Sequence, residues 1–118
     1  MANDILFTGW GSVVRGREQK ALQVFQETVQ FWMQAQQDGR IESFEPVLLE
    51  PHGGGLAGFI VARGERSRLD AIRESDEFRR LVSRAVAIVD DLGVVAGFGD
   101  QALANQLDLF QQAASELG

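Results

Sequence analysis

Residues 41–64 read IESFEPVLLEPHGGGLAGFIVARG, two apolar runs joined by a glycine-rich turn. Short apolar runs bounded by Gly and Pro are typical of strands. The first run ends at Pro51, which cannot donate a ladder hydrogen bond, and the glycines at 53–55 supply the positive φ angles that a tight reversal needs. Residues 56–62 are apolar on both faces, which is typical of a central strand. The stretch therefore predicts a β-hairpin in the middle of the chain.

The segments on each side of this hairpin repeat a pattern of strand, helix and strand. Residues 5–14 predict a first strand, in which the small pair Gly9 and Gly11 would let a neighbouring backbone approach closely. Apolar residues in 17–37 recur at helical spacing. The predicted strands are 5–14, 41–51, 56–62 and 94–99, and the predicted helices are 17–37, a short segment through Leu69 and Ile72, 76–91 and 101–117.

Three polar residues are predicted to cap helices. Ser67, followed by Asp70 three residues later, forms a sequence like a capping box. Ser75 precedes Asp76 and a glutamate, which lie favourably in a first turn. Asp100 is predicted to cap the last helix, which is an addition to the repeated pattern.

Composition and charge bound the classes of function. The 118 residues are expected to form a single domain, with a core at 5–100 and a C-terminal helix at 101–117. The net charge of −6 disfavours nucleic acid and anionic membranes as partners. With no cysteine and one histidine, a zinc site is not expected, although carboxylates leave magnesium or calcium open. No apolar run reaches 18 residues and no signal core follows the N-terminus, so we expect a cytoplasmic protein.

Two glycine motifs are incomplete. Gly9-Trp10-Gly11 lacks the third glycine and the ribose-binding acid of a dinucleotide fingerprint, so no cofactor is predicted. The HGGG run at 52–55 resembles the oxyanion-hole stretch of some lipases, but the chain has no G-x-S-x-G nucleophile elbow. We interpret the HGGG run as a hairpin turn.

Two strand–helix–strand units joined by a hairpin predict an α+β, ferredoxin-like split βαβ fold. Right-handed crossovers place the first and third strands centrally, which gives a four-stranded antiparallel sheet of order 4-1-3-2. Helices would cover one face of this sheet. The other face would carry exposed apolar groups, which favours association. A second copy packed face to face, closing a dimeric barrel, is the expected cover.

The chain resembles the dimeric α+β barrel superfamily over about residues 5–100. The resemblance depends on the element order, the hairpin position and the run Ser75-Asp76-Glu77-Phe78-Arg79-Arg80-Leu81 before Asp90-Asp91-Leu92. Members include antibiotic-biosynthesis-type monooxygenases, muconolactone-isomerase-like proteins and YCII-like proteins. The resemblance implies a homodimer, but no catalytic motif is matched, and fold analogy alone does not confer an activity.

Two candidate sites follow from this topology. The first is a cavity between the two sheets of the dimer, for a small apolar organic molecule. Its predicted lining is Thr8, Trp10, Ser12, Phe59, Val61, Arg63 and Phe98. The alternative is that these side chains only fill the interface.

The second candidate site is where the first strand ends. Arg15, Arg17 and Lys20 would lie there near His52 and the glycine amides of residues 53–55, and basic side chains beside a helix N-terminus can hold an anion, so Arg15 is a candidate ligand-binding residue. His52 is the only side chain with a reference pKa close to neutral, which makes it a candidate catalytic acid or base. The alternative is that acidic neighbours such as Asp90 pair with these arginines on a solvated surface.

Three classes of function remain open on the sequence. They are an enzyme of the cofactor-independent monooxygenase or isomerase kind, a non-catalytic ligand sensor, and a structural or partner-binding module. An RNA-recognition domain shares the topology, but it needs stacking aromatics on a basic sheet, and this chain is acidic.

Overall fold

One antiparallel sheet of four strands carries three helices on one face and ends in a fourth helix. The structure is a computed structural model, and it describes residues 4–118. In chain order the elements are β1 (Asp4–Trp10), α1 (Glu18–Gln37), β2 (Ser43–Leu48), β3 (Gly58–Gly64), α2 (Arg66–Glu74), α3 (Asp76–Val86), β4 (Gly93–Phe98) and α4 (Asp100–Leu117).

The strand order is β2-β3-β1-β4, and every neighbouring pair is antiparallel. This order is the one predicted from the sequence, and the ferredoxin-like α+β fold is confirmed. Thr8 at the centre of the sheet lies opposite Ile60 of β3 and Val94 of β4. Because directly opposed residues share a face, this register fixes which side chains of the three strands lie together on each side of the sheet.

The helix-covered face carries the core. Leu6, Ile60 and Ala62 point into it, and each is at most 1% exposed. They pack against Trp32 of α1 and Phe78 of α3, whose ring centroids lie 5.8 Å apart. A smaller cluster forms separately near the start of α1 and the end of α3, from Ala21, Val24 and Ile88. The core is thus divided into two parts along the length of α1.

The opposite side of the sheet, which we call the open face, is apolar. Its apolar side chains are Ile5, Phe7, Val47, Phe59, Val61 and Val95, all of them partly or fully exposed. Phe7 and Phe59 stack on it with their ring centroids 5.3 Å apart. Both faces of the central strands are therefore apolar, as the sequence predicted.

The helix α4 makes little contact with the rest of the chain. None of its residues is buried, and Leu107 and Phe110 are 57% and 70% exposed. The radius of gyration is 16.2 Å, compared with about 13 Å for a compact chain of this length. Within residues 4–118, no helix combines the length and the apolar character that crossing a membrane requires.

Several predicted boundaries are wrong by a few residues. The first strand stops at Trp10, because the chain then turns to pair with the segment after α3. There the Gly11 N–H donates to Asp90 O, and the Asp90 N–H donates to Ser12 O, both at 2.8 Å. A Cβ at Gly11 would lie 3.0 Å from the carbonyl oxygens of Asp90 and Gly55. The close backbone approach predicted at Gly11 is therefore present.

The hairpin and the third helix also differ from the prediction. The strand β3 runs from Gly58 to Gly64, two residues later than expected, and of the glycines at 53–55 only Gly53 has a positive φ, 85°. The helix α3 ends at Val86 rather than Asp91, because the segment after it is drawn into pairing with residues 11–14.

One of the three predicted caps is confirmed. Ser75 Oγ accepts from the Phe78 N–H at 3.2 Å and donates to Ile72 O at 2.7 Å, so it joins the end of α2 to the start of α3. Ser67 lies inside α2, which Glu65 precedes without a side-chain cap. Asp100 is the first residue of α4, with a φ of 46°, and the N-cap position is Gly99.

Candidate functional site

A cavity of about 350 Å³ lies between the helix-covered face of the sheet, the first half of α1 and the end of α3. The sheet contributes Thr8, Trp10 and Ile60 to its wall. The helices and the segment after α3 contribute mainly apolar side chains, among them Ala21, Leu22, Val24, Phe25, Ala85 and Ile88. This space, which we call the α1 cavity, separates the two hydrophobic clusters of the core. Its size and apolar lining are typical of sites for small organic molecules.

Small side chains explain why the α1 cavity is open. Along its second half, α1 fills the space above the sheet with Phe31 and Trp32, which are 5% and 1% exposed. Around its first half and middle, the lining combines the small residues Ala21 and Thr28 with Leu22 and Phe25, and α3 adds Ala85. The small side chains among these leave unfilled volume between elements whose spacing is set by the larger core residues.

Trp10 forms one wall of the α1 cavity. It lies opposite Gly58 of β3, and a Cβ at Gly58 would lie 2.8 Å from Trp10 Cζ2. The absent side chain at Gly58 therefore makes room for the indole over the neighbouring strand. On the other side, the Trp10 ring meets Phe25 of α1 edge to face, with ring centroids 6.0 Å apart. These contacts fix the orientation of the indole.

Two threonines line the cavity, and only one of their hydroxyl groups has a hydrogen-bond partner among the described residues. Thr28 Oγ1 donates to Val24 O at 2.7 Å, within the helix. Thr8 is 8% exposed, and its Oγ1 has no hydrogen-bond partner in the part of the chain that the structure describes. The one charged side chain in the wall is Glu18, an exposed residue whose Oε2 accepts from the Gly16 N–H at 3.0 Å. The α1 cavity is therefore an apolar space with one buried, unpaired hydroxyl.

The structure brings together only part of the predicted ligand-binding set. Thr8 and Trp10 line the same cavity, but on the helix side of the sheet and not on the open face. Phe59 and Arg63 project from the open face, because each is displaced by an odd number of residues from Ile60. The predicted grouping is wrong on this point, since one sheet cannot direct both sets of side chains to the same side.

Ser12 and Phe98 also lie outside the α1 cavity. Ser12 is exposed and has left the sheet to pair with the segment after α3. Phe98 lies at the far end of β4, directly opposite Asp4 of β1. Asp4 is four residues before Thr8, so the Phe98 position lies roughly 13 Å from Thr8 along the strand direction. There it contacts Arg66, whose Cζ lies 5.3 Å from the Phe98 ring centroid.

The structure places His52 in contacts within its own loop. His52 Nδ1 accepts from the Gly54 N–H at 3.3 Å, so the Nε2 in this arrangement donates to Leu56 O at 2.8 Å. Both ring nitrogens of His52 are thus hydrogen-bonded to backbone groups of its own hairpin loop. Arg15 is exposed and has no ion pair among residues 4–118. In that same range, no three Asp, Glu or His side chains are grouped so as to hold a metal ion.

Sequence reasoning missed the contribution of the helices to the cavity. The helical spacing of apolar residues in 17–37 predicts that they pack on the sheet, but it carries no measure of the space left between α1 and the sheet. The signal available in the sequence is the small size of Ala21 and Thr28 compared with Phe31 and Trp32. Small side chains beside bulky ones leave part of the space above a sheet unfilled.

The fold and the cavity define a ferredoxin-like α+β domain with an apolar cavity under its first helix. No family model and no curated protein matches the chain. Solved structures do match it. SnoaB, a cofactor-independent oxygenase from Streptomyces nogalater, superposes with a TM-score of 0.56 at 16% identity, over 86% of this chain and 98% of that one.

Two further solved structures have a similar fold. A dimeric ferredoxin-like protein of unknown function from Bacteroides fragilis has a TM-score of 0.58 at 8% identity, over 80% of this chain and 95% of that one. A conserved protein from Methanosarcina mazei has a TM-score of 0.57 at 10% identity, over 84% and 95% of the two chains. At these identities the likeness establishes the fold, and it confirms the sequence resemblance at that level.

Proposed function

We propose that this protein binds a small, largely apolar organic molecule in the α1 cavity. The observation that carries the proposal is the combination of about 350 Å³ of space with a wall of apolar and aromatic side chains around Trp10. A space of this size that is lined by apolar groups is stabilised when an apolar molecule fills it, because the walls regain dispersion contacts and water is released. The proposal moves the predicted ligand site from between two sheets to beneath α1.

Binding is favoured over acid–base catalysis by His52. The ring nitrogens of His52 are held by Gly54 and Leu56, and His52 does not line the cavity. A general base has to reach the proton that it removes, directly or through one water. The titratable side chain in the cavity wall is Glu18, which makes it the residue to test first if turnover is found.

The test uses naphthalene as a probe and the two indole N–H signals of the 15N-labelled protein as reporters. Trp10 lines the cavity, whereas Trp32 is 1% exposed in the main core. We expect saturable movement of the Trp10 signal and a stationary Trp32 signal. The variant Ala21→Phe should fill the cavity and abolish the effect. Ala71→Phe, at an exposed position of α2 away from the cavity, is the matched control and should bind like the original protein.

A second candidate function is cofactor-independent oxygenation of the bound molecule. Its support is the similarity in fold to SnoaB over nearly the whole of that chain, together with a cavity whose wall is mostly apolar and includes the aromatic side chains Trp10 and Phe25. Such chemistry takes its electrons from the substrate, so the assay is oxygen uptake with electron-rich hydroxyarenes. Uptake that is lost in Ala21→Phe and retained in Ala71→Phe would support it, and uptake that is equal in both variants would exclude the α1 cavity as its site.

We also propose that the open face is covered by a second copy of the chain. The supporting observations are the exposed apolar side chains around the stacked pair of Phe7 and Phe59 and the description of the Bacteroides fragilis neighbour as dimeric. The inter-sheet ligand cavity predicted from the sequence is not part of this proposal. In our interpretation the open-face side chains pack against each other.

Substitution at Val61 tests the dimer. Val61 lies between Phe7 and Glu45 across the sheet, so Val61→Lys places a charge on the open face while giving the new ammonium a cross-strand partner in Glu45. We expect sedimentation at two chains for the original protein and one chain for Val61→Lys. Met33→Lys, which adds the same charge at an exposed position of α1, should remain dimeric. A monomeric original protein would contradict the proposal.

A further inference from the structure

The buried hydroxyl of Thr8 is the polar feature of the α1 cavity that its own chain does not satisfy. Thr8 is 8% exposed, lies in the cavity wall, and its Oγ1 has no partner in the described residues. A buried hydroxyl without a hydrogen bond is costly, and most such groups in folded proteins have a partner. The second threonine in the wall, Thr28, follows this rule through its bond to Val24 O. Thr8 Oγ1 itself is closed off from the empty cavity, so it meets a ligand when the side chain rotates about χ1 and exchanges the places of its hydroxyl and methyl groups.

The charge of the wall restricts which molecules can enter. None of the side chains that line the cavity is Lys, Arg or His, and the charged one among them is Glu18. A carboxylate ligand would lose its hydration without gaining a cation, and it would meet the field of Glu18 as well. The composition of the wall thus disfavours anions. It leaves neutral molecules as the class that the cavity accepts.

We infer that Thr8 selects neutral ligands that carry one hydroxyl or carbonyl group, which its Oγ1 binds at the sheet side of the cavity. The inference rests on the proposed function, since it names the class of molecule for that same site. A hydroxyl group both donates and accepts hydrogen bonds, so Thr8 serves a phenol, an alcohol or a ketone. The apolar remainder of the ligand then lies toward α1, against Phe25 and Leu22.

The test compares three two-ring aromatic probes whose substituents differ in polarity and charge. They are 1-methylnaphthalene, 1-naphthol and 1-naphthoate, and dissociation constants are measured with the Trp10 indole signal. For the original protein we expect 1-naphthol to bind roughly three- to ten-fold more tightly than 1-methylnaphthalene, which is the range of one net hydrogen bond. We expect 1-naphthoate to bind at least about ten-fold more weakly than 1-naphthol.

Two threonine variants separate this inference from general apolar binding. Thr8→Val replaces the hydroxyl with a methyl group of similar size and should abolish the preference for 1-naphthol while retaining 1-methylnaphthalene. Thr28→Val is the matched control, because its hydroxyl already donates to Val24 O and lies in the same wall. It should keep the preference. Thr8→Ser retains the hydroxyl and should also retain the preference for 1-naphthol. A lost preference in Thr8→Val but not in Thr8→Ser then reports the missing hydroxyl and not a change in folding.

The outcomes distinguish the two proposals. If 1-methylnaphthalene and 1-naphthol bind the original protein equally, or if Thr8→Val keeps the preference, the role of Thr8 is refuted and apolar binding stands. If 1-naphthoate binds most tightly, the inferred selection of neutral molecules is wrong. If no probe shifts the Trp10 signal, both the proposed function and this inference are overturned.

Discussion

Gly58 lies directly across the sheet from Trp10, and the ring of Trp10 occupies the place where a side chain at residue 58 would be. A Cβ there would lie 2.8 Å from Trp10 Cζ2 and 2.8 Å from Val47 O. The position of the indole therefore depends on the absence of a side chain at residue 58. One wall of the α1 cavity depends on it as well, because Trp10 forms that wall.

We predict that Gly58→Ala displaces Trp10 and weakens binding in the α1 cavity. The added methyl group meets both the ring and a backbone oxygen, so the cost of overpacking should be about 1–3 kcal/mol in the free energy of unfolding. Urea denaturation and the position of the Trp10 indole signal measure these two effects. Gly93→Ala is the control, because a Cβ at Gly93 meets no atom within 4 Å. Equal behaviour of the two variants would contradict the prediction.

A second prediction concerns Trp32, the largest fully buried side chain. Trp32→Ala should lower the free energy of unfolding by about 3–5 kcal/mol, because it opens a cavity against Phe31 and Phe78. Trp32→Phe should cost less than half of that, since the Trp32 Nε1 has no hydrogen-bond partner among residues 4–118, and no bond is lost with it. Chemical denaturation measures both variants.

The control for Trp32 is Leu117→Ala at the end of α4. Leu117 is 90% exposed, so its truncation should change the free energy of unfolding by no more than about 0.5 kcal/mol. A cost for Trp32→Phe as large as that for Trp32→Ala would mean that the indole N–H is satisfied in solution.

A third prediction compares Ser67 and Ser75, both of which the sequence predicts to be helix caps. Ser75→Ala should destabilise the protein by about 1 kcal/mol, because Ser75 Oγ accepts from the Phe78 N–H at the start of α3. Ser67→Ala should change stability by less than about 0.5 kcal/mol, because Ser67 is exposed within α2. The midpoint of urea denaturation measures the difference, and a larger loss from Ser67→Ala would show that our assignment of the cap is wrong.

A fourth prediction concerns His52, the catalytic candidate from the sequence. We predict that His52→Ala leaves the affinity for naphthalene unchanged, because His52 does not line the α1 cavity. It should accelerate amide exchange at Gly54, whose N–H bonds to the His52 ring. Titration and hydrogen exchange are the measurements, with Trp10→Ala as the variant that should lose binding. A loss of affinity in His52→Ala would return this residue to the site.

The fold was predictable because periodicity, Gly and Pro positions and crossover handedness all indicate the same topology. The sequence did not predict which face of β1 meets the helices. Leu6 and Phe7 lie on opposite faces and both are apolar, so the alternation of apolar and polar residues does not distinguish the two faces. The packing of Leu6 against Trp32 and Phe78 of the helices shows which face it is. The cavity likewise depends on the spacing between α1, the sheet and the end of α3, which is a distance between elements and not a pattern along any of them.

The exposed helix α4 has a consequence for how the protein behaves over time. Most of the stability of a helix in a protein comes from packing of one face against the rest of the chain, and α4 has no buried residue to supply it. Its amide protons should therefore exchange, and its peptide bonds should be cleaved, at rates set by local fraying rather than by global unfolding. Any partner that covers Leu107 and Phe110 would slow both processes without changing the rest of the molecule. The lifetime of α4 amide protons is thus a direct measure of what this segment contacts in solution.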